Sequence, residues 1–454
     1  MKLKLPKILA ALILLSNIAF AQNDLSSMYS NHFPLATARY QPSKLGEGFK
    51  SVEIMMPSLY VFTGNKVFNI QDIATLGSQN GSIDAATFQK YLDRMESKNL
   101  IGTGLTIPVI GVAIKLKTKD GDHNNPKDEK MAFSYDMALR SGLTFSYPKD
   151  VFSLAFKGNK TFEGKTAILN PNATVNTFVE HAIGFSMPLP IKLGDKLKLK
   201  AGVRVKYLQG IASSKINGDM SLYTAPQGRY VDVTGDLTVN NAAPNTNNFL
   251  TGSGIGTDLG VTATILEKFT ATVSLLDLGF INYSKNASSY SINKSYRYEG
   301  VNLSDVISNP NNAGNGAGLE KIQNEFKPQE NNKPFNMSLP TRIVVQGEYI
   351  INKETPKGRP YKMGNVFLTY VQGVNNMPGG TTKPFVSAGY SHSIRTCLNV
   401  GATVAVGGYN NFMAGTFFSV RGGFFRFGIG TSNVLPLVGL GYGSDISMKW
   451  SMSF

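Results

Sequence analysis

Residues 446–454 read ISMKWSMSF, and apolar and polar side chains alternate through this stretch without a miss. Ile446, Met448, Trp450, Met452 and Phe454 take every second position, with serine or lysine between them. A period of two places alternate side chains on opposite faces of an extended chain. The stretch therefore predicts a β-strand with one apolar face, one polar face and an aromatic last residue.

The same alternation recurs along the chain from Leu143 onward. Its clearest apolar faces fall at residues 183–191, 197–207, 259–265, 269–275, 398–406 and 425–429. A tight turn at Pro148 is expected to lead into a further strand through Phe152, Leu154 and Phe156. Short turns alternate with long polar connections, which is the pattern of membrane-spanning barrels.

The chain has no later stretch of about twenty apolar residues, the length that a membrane-crossing helix needs. Without such a helix only a closed barrel can cross a bilayer, because unpaired backbone groups in hydrocarbon cost several kcal/mol each. We therefore predict an all-β, transmembrane antiparallel barrel over residues 100–454. About fourteen strands are expected, with about twelve to sixteen as the range. A secreted β-sandwich is the alternative, but it does not explain the alternation of long and short loops.

The amino terminus predicts export. Lys2, Lys4 and Lys7 precede an apolar run at residues 8–15, and Ala19-Phe20-Ala21 offers a small-residue cleavage site. This order is typical of a signal peptide, here residues 1–21. The expected location is the outer membrane. The single cysteine, Cys397, excludes an internal disulfide framework.

Residues 22–99 are expected to form a segment that precedes the regular barrel strands. Four apolar residues within it fall at helical spacing: Phe88, Tyr91, Leu92 and Met95. Ser82 or Asp84 would cap such a helix. Two placements remain open for the segment, a plug inside the barrel or a position beneath it in the periplasm. Residues 51–62 are a further strand candidate, which would raise the strand count.

The odd or even position of a residue along its strand, here called its parity, also predicts whether its side chain faces the interior of the barrel. Six inward candidates follow from it: Lys198, Lys200, Arg204, Lys206, Asp258 and Arg426. A basic lumen would attract anions. Alternatively, these cations pair with inward acids such as Asp258 and Glu348, as charges inside barrels commonly do. The chain carries 45 Lys and Arg against 30 Asp and Glu, but no nucleic-acid motif accompanies the charge, so no nucleic-acid partner is expected.

Two glycines flank one of the inward acids. Gly256, Asp258 and Gly260 share the inner face of one predicted strand. Glycine in a strand marks a bend or a close approach by another part of the chain. The arrangement leaves room for a plug segment, a water-filled groove or an inward arginine.

Nothing in the sequence indicates an enzyme. The four histidines do not cluster with a nucleophile, and no metal-ligand motif is present. His181 and His392 share the parity of the apolar outer face, whereas His32 and His123 fall in irregular stretches. We therefore predict no catalytic residues, no metal site and no cofactor.

Several short motifs carry a resemblance to known barrels. The Gly256–Gly260 strand, Leu276-Asp277-Leu278-Gly279, Ser338-Leu339-Pro340 and the aromatic-ended last strand resemble a group of uncharacterised Bacteroidota outer-membrane barrels. These are broadly similar to the long-chain fatty-acid transporter-like barrels, including the PorV-like ones. The resemblance implies a fourteen-stranded wall with an amino-terminal hatch. It also implies that the barrel-assembly machinery reads the last strand, with Trp450 and Phe454 as the signal.

The expected function is a plugged channel for small or hydrophobic solutes. The alternative is a non-transporting barrel that anchors or scaffolds a cell-surface or secretion assembly. Expected partners are outer-membrane lipid, the barrel-assembly machinery and, for the alternative, surface or secretion proteins. A continuous small or apolar inner track would favour transport, and a lumen packed shut by inward ion pairs would favour anchoring.

Overall fold

The computed structural model describes residues 24–30, 32–48, 51–69, 72, 84–116, 131–191, 197–299, 329–354, 360–394 and 397–454. The predicted signal peptide, the alternative cap Ser82, and His123 lie outside these ranges.

A closed antiparallel barrel of 14 strands forms the protein, as predicted. The described strands are β1 (Val52–Met55), β2 (Leu59–Gly64), β3 (Lys98–Lys115), β4 (Ala132–Pro148), β5 (Lys165–Ile168), β6 (Asn172–Pro188), β7 (Leu197–Thr224), β8 (Val231–Ala242), β9 (Gly252–Ile265), β10 (Phe269–Tyr283), β11 (Ala287–Tyr298), β12 (Gln329–Asn331), β13 (Phe335–Ser338), β14 (Arg342–Glu354), β15 (Pro360–Gly373), β16 (Phe385–Ile394), β17 (Leu398–Gly407), β18 (Phe412–Gly422), β19 (Phe425–Thr431) and β20 (Ser444–Ser453). In the wall, β1 with β2 and β13 with β14 each act as one interrupted strand, while β5, β8, β11 and β12 lie outside the wall.

The last strand closes the barrel against the first. β20 pairs with β19 on one side and with β1 and β2 on the other. The first wall strand breaks at residues 56–58, where Pro57 has no backbone N–H to donate. The wall therefore begins at Val52 and includes residues that the sequence assigned to the 22–99 segment. The expected boundary at residue 100 is too late, because Pro57 divides the alternating pattern into two short pieces.

The two ends of the barrel differ. We name the end that carries Phe454 the base and the opposite end the mouth. Connections at the base include the short turns at residues 266–268 and 423–424. At the mouth, the 28-residue strand β7 continues past the wall and pairs with β5 and β8, and β11 and β12 extend this sheet.

The described residues include four short α-helices. α1 (Leu25–Tyr29) and α2 (Pro34–Ala38) lie inside the barrel, and α3 (Ala85–Arg94) and α4 (Lys149–Lys157) lie at the mouth. Within the described ranges, no helix combines the length and hydropathy that would let it cross a membrane.

The strand expected through Phe152, Leu154 and Phe156 is instead helix α4. Apolar residues at 152 and 156 are two steps of a strand but also four residues apart, the spacing of one helical face. Phe156 stacks on Phe88 of α3 with ring centroids 3.6 Å apart, and Phe152 packs beside Tyr147. The spacing of these apolar residues fits a strand and a helix equally well, and the contacts with α3 and β4 favour the helix.

Helix α3 forms where it was expected, but it lies at the mouth and is not the part of the 22–99 segment that fills the lumen. Asp84 caps it by accepting a hydrogen bond from the Thr87 N–H at 2.8 Å. Its apolar residues Phe88, Tyr91 and Leu92 are buried against residues 67–68 and β4 at the mouth. The helix thus covers the rim of the barrel rather than filling the lumen or lying beneath the base.

Apolar side chains cover the outer surface of the wall. Ile183, Val205 and Ile255 are 63%, 60% and 64% exposed, whereas both neighbours of Ile183 and of Val205 on their strands are buried in the interior. The alternation of outward apolar and inward polar residues is that of a transmembrane barrel.

Candidate functional site

The lumen is filled by the amino-terminal part of the chain. Residues 24–30 and 32–48, here named the plug, contribute α1, α2 and a 3₁₀ turn at Pro42–Lys44. Leu25, Leu35 and Leu45 are at most 1% exposed. The chain then reaches the wall at the base, where the Ser51 N–H donates to the Phe454 carbonyl at 2.8 Å.

Glycines in the wall make room for the plug. A methyl group on Gly202 would lie 2.3 Å from the Pro42 carbonyl, and one on Gly428 would lie 2.4 Å from the Phe33 ring. Gly260 adjoins the same Pro42 at 3.1 Å. Only glycine permits these approaches, so the inner surface of the wall is shaped to seat this segment.

One side of the lumen is apolar. Leu25, Met28 and Tyr29 of α1 pack there against side chains from β10 and from β14 to β18: Leu276, Val344, Phe367, Val371, Phe385, Ala405, Met413 and Phe417. The Tyr29 ring stacks on Phe367 with centroids 3.5 Å apart, and its hydroxyl donates to Thr369 at 2.6 Å. Helix α1 thus covers an apolar inner surface that spans neighbouring strands.

An adjoining part of the lumen carries buried charges, here named the ion cluster. Its members are the cations Arg39, Arg140, Arg204, Lys206 and Arg342 and the carboxylates Asp136, Glu180, Asp258 and Asp277. Arg204 lies 2.7 Å from both Asp136 and Asp258, and it is 1% exposed. Lys206 lies 2.6 Å from both Asp258 and Asp277. Contacts of this kind between buried charges form short, charge-assisted hydrogen bonds.

Among the ionic contacts between the plug and the wall, those of Arg39, Lys44 and Asp24 are 3.1 Å or shorter, and we name these three the latches; Glu47 lies farther, 3.8 Å, from Lys200. In the first, Arg39 contacts Asp136 and lies 3.1 Å from Glu180. The other two are Lys44 to Glu348 at 2.7 Å and Asp24 to Lys449 at 3.0 Å.

The plug side chains keep the charge states that these contacts need. Burial opposes a charge on Asp24, but Lys449 and the Ser27 hydroxyl hold the pKa of Asp24 below its usual value. Burial likewise opposes the charge of Lys44, yet Glu348 raises the pKa of Lys44 above its usual value. Burial and nearby arginines lower the pKa of His32 to about 4, so its ring is neutral at pH 7.

The predicted inward residues fall into three groups. Arg204, Lys206 and Asp258 meet in the ion cluster. Lys200 and Arg426 hold the plug backbone, with Lys200 donating to the Leu45 carbonyl at 2.8 Å and Arg426 to the carbonyls of residues 32 and 48. Lys198 is half-exposed at the base, 3.4 Å from Glu267.

Sequence reasoning missed the residues that complete the ion cluster. Asp136 and Glu180 carry a readable signal, since each stands between two outward apolar or aromatic neighbours on its strand. Arg39 carries none, because its helix spans five residues and its partners lie 97 and 141 positions away. Two of the three options proposed around Gly260 occur, a plug segment beside the glycine and an inward arginine on Asp258.

A cavity of about 60 Å³ lies between the plug and the mouth. Its lining includes Arg140, Arg342, Tyr40 and Phe178, together with residues 378–379 of the β15–β16 connection. The volume holds about four water molecules. A larger solute needs the plug or this connection to move.

No three histidine, cysteine, aspartate or glutamate side chains gather as a metal site would require in the part of the chain that the structure describes.

Aromatic contacts at the base surround the predicted assembly signal. Phe454 stacks on Phe424 with centroids 5.6 Å apart, and Trp450 lies 4.4 Å from Phe427. The Phe454 N–H donates to the Val52 carbonyl at 2.9 Å, across the closing seam. The last residue therefore joins β20 to the first wall strand.

Deleting Phe454 should lower the amount of protein in the outer membrane several-fold, because both the seam contact and the aromatic end are lost. Quantifying the protein in isolated outer membranes checks this, with Phe454→Tyr as the control that keeps an aromatic ring. Unchanged levels of the deletion variant would contradict the role in assembly.

A closed wall, an apolar exterior and an occupied lumen define a plugged transmembrane β-barrel. A family model described as "Family of unknown function (DUF5723)" matches residues 49–432, so the chain belongs to that family. No curated protein matches the chain.

Several solved structures are similar to this chain at low identity. The toluene transporter TodX of Pseudomonas putida is 10% identical, with 96% of this chain and 98% of that chain covered and a TM-score of 0.45. The toluene transporter TbuX of Ralstonia pickettii is 10% identical, with 92% and 93% covered and a TM-score of 0.42. A FadL homologue of Pseudomonas aeruginosa is 9% identical, with 94% and 95% covered and a TM-score of 0.42.

Proposed function

We propose that the protein is an outer-membrane channel for small or hydrophobic solutes and that its plug closes it. The observation that carries the proposal is the way in which the lumen is filled. A separate segment occupies it, attached to the wall by side-chain contacts, whereas a sealed barrel can be filled by the wall's own side chains. Such a segment can shift while the hydrogen-bonded wall stays intact.

The latches suit a plug that moves. A buried ion pair adds little net stability, because the desolvation of both charges offsets their attraction. When water enters the lumen, the latch partners regain their hydration. Displacing the plug on its charged side therefore costs less than its many short contacts suggest.

The apolar side of the lumen favours hydrophobic solutes among the molecules that the channel would transport. Helix α1 covers that surface in the structure. If α1 moves, the surface becomes a contact for an apolar solute of similar size. The hydroxyls of Thr369 and Ser387, which now contact Tyr29, would be available to a polar group on that solute.

The proposed location is the outer membrane, after export by a cleaved signal peptide at residues 1–21. Lipid and the barrel-assembly machinery are the proposed partners, with Trp450 and Phe454 as the assembly signal. The absence of catalysis and of a cofactor, the Bacteroidota origin and the PorV-like resemblance stay predictions.

The test weakens two latches in the full chain. The variant Arg39→Gln, Lys44→Gln keeps polar side chains in the plug but removes both charges that meet wall carboxylates. In planar bilayers we expect larger and more frequent conductance steps than in the wild type. Lys198→Gln is the control, because Lys198 lies at the base and pairs only weakly with Glu267.

A barrel that conducts in neither form would contradict the channel and favour the anchoring function. The observation that favours the anchoring function is the sheet at the mouth. It joins the extended end of β7 to β8 and β11, and it offers surface beyond the wall to another protein. Surface or secretion proteins would then be the partners.

A further inference from the structure

One cation of the ion cluster lacks a close partner. Within the described residues the cluster holds five cations and four carboxylates, and contacts of 2.6–2.7 Å join Arg140, Arg204 and Lys206 to the carboxylates. Arg342 is different, since its nearest carboxylate, Asp277, lies 3.6 Å away. Its other contact, with the Gly379 carbonyl, is 3.4 Å long.

Because Arg342 is buried, the lack of a close partner for its guanidinium costs free energy. Arg342 is 8% exposed, and its Nε atom, like that of Arg204, has no hydrogen-bond partner within the described structure; Arg342 differs in lacking a carboxylate closer than 3.6 Å. A guanidinium cannot release its proton to relieve the cost of burial. A buried donor of this kind calls for an acceptor that the described side chains do not supply.

Arg342 borders the cavity of about 60 Å³ between the plug and the mouth. Aromatic rings support the guanidinium groups there, with Arg342 5.8 Å from the Tyr40 ring centroid and Arg140 5.3 Å from that of Phe178. Asn176 adds a polar group to the lining. The lining thus combines two arginines, aromatic walls and room for a group of a few heavy atoms.

Two carboxylates also line this cavity, and each would repel an anion if its negative charge were not neutralised by a neighbouring cation. Glu180 and Asp277 both lie within 2.7 Å of Arg140, and Lys206 lies 2.6 Å from Asp277. Their charges are therefore matched inside the cluster. The surplus positive charge belongs to the Arg342 side of the cavity.

We propose that this cavity binds a small oxyanion, a carboxylate or a phosphate, with Arg342 as the main partner. The planar guanidinium fork fits two oxygens of either group through parallel hydrogen bonds. The volume admits a free acetate or inorganic phosphate, or the anionic end of a larger solute. The site lies beside residues 378–379 of the β15–β16 connection.

The experiment measures binding by calorimetry on the full chain, folded in detergent. Sodium acetate and sodium phosphate are titrated separately, with sodium chloride as the reference salt. We expect saturable binding of at least one oxyanion, weakened about tenfold or more in Arg342→Gln, as the loss of a charged hydrogen bond predicts. Arg297→Gln is the matched control, since Arg297 pairs with Asp232 on the exposed sheet.

Saturable binding of only one oxyanion supports the site and identifies which group it takes. Absence of saturable binding of both anions to the wild type would overturn the proposal, and so would wild-type affinity in Arg342→Gln. If Arg342→Gln does not fold, Pro378→Trp decides instead, because it fills the cavity without changing charge. Binding that survives Pro378→Trp would overturn the site. None of these readouts requires conductance, so the proposed channel and the anion site can fail separately.

Discussion

A disulfide between plug and wall in the variant Ser26→Cys, Ser447→Cys should hold the barrel closed. The two hydroxyl oxygens lie 2.6 Å apart, one on α1 and the other on β20. A bridge between these positions would fix the plug over the apolar side of the lumen. The single native cysteine is exposed and is first replaced, as Cys397→Ser, to leave one pairing. We expect conductance to disappear under oxidising conditions and to return when dithiothreitol is added.

The control for this experiment is a bridge that leaves the plug free. Ser141→Cys, Thr177→Cys joins two neighbouring wall strands, where the hydroxyl oxygens are 2.8 Å apart. Oxidation of this pair should leave conductance unchanged, because the wall does not need to open when the plug shifts. Equal conductance of the oxidised and reduced plug bridge would contradict the plug as the closing element.

The alternation of apolar and polar residues was sufficient to predict most of the wall. A strand that faces lipid on one side and the lumen on the other must alternate, so the positions of Arg204, Lys206 and Asp258 follow from their neighbours. The stretch around Pro57 marks the limit of this rule. A proline interrupts the ladder and leaves two pieces of four and six residues, too short for a period to be recognised.

The plug could not be predicted to the same depth. Its helices α1 and α2 span five residues each, so neither shows a helical period. What places them is contact with the wall far along the chain, as between Tyr29 and Thr369, 340 positions apart. The glycine at position 260 indicated a close approach by another part of the chain, but nothing in its local sequence identifies the segment that approaches. Closure of the lumen therefore depends on tertiary contacts between distant parts of the chain, which local sequence patterns do not reveal.

The largest loss of stability is expected from Arg204→Met. Inward positions of barrels usually tolerate substitution because water fills the interior. Arg204 differs, since it is 1% exposed and contacts Asp136 and Asp258 at 2.7 Å and Glu180 at 3.4 Å. Methionine keeps much of the side-chain volume but removes the positive charge, so the buried carboxylates lose their cationic partner. Loss of one partner of such a network costs about 3–5 kcal/mol.

Urea unfolding of the protein from lipid vesicles measures this loss. Arg297→Met, on the exposed sheet at the mouth, should leave the free energy of unfolding unchanged, because solvent screens that pair. A second substitution separates the two physical causes. If unpaired charge is responsible, adding Asp258→Asn to Arg204→Met should recover part of the stability, because one buried carboxylate becomes neutral. If the double variant is less stable than Arg204→Met alone, packing around the guanidinium rather than its charge holds this side of the barrel together.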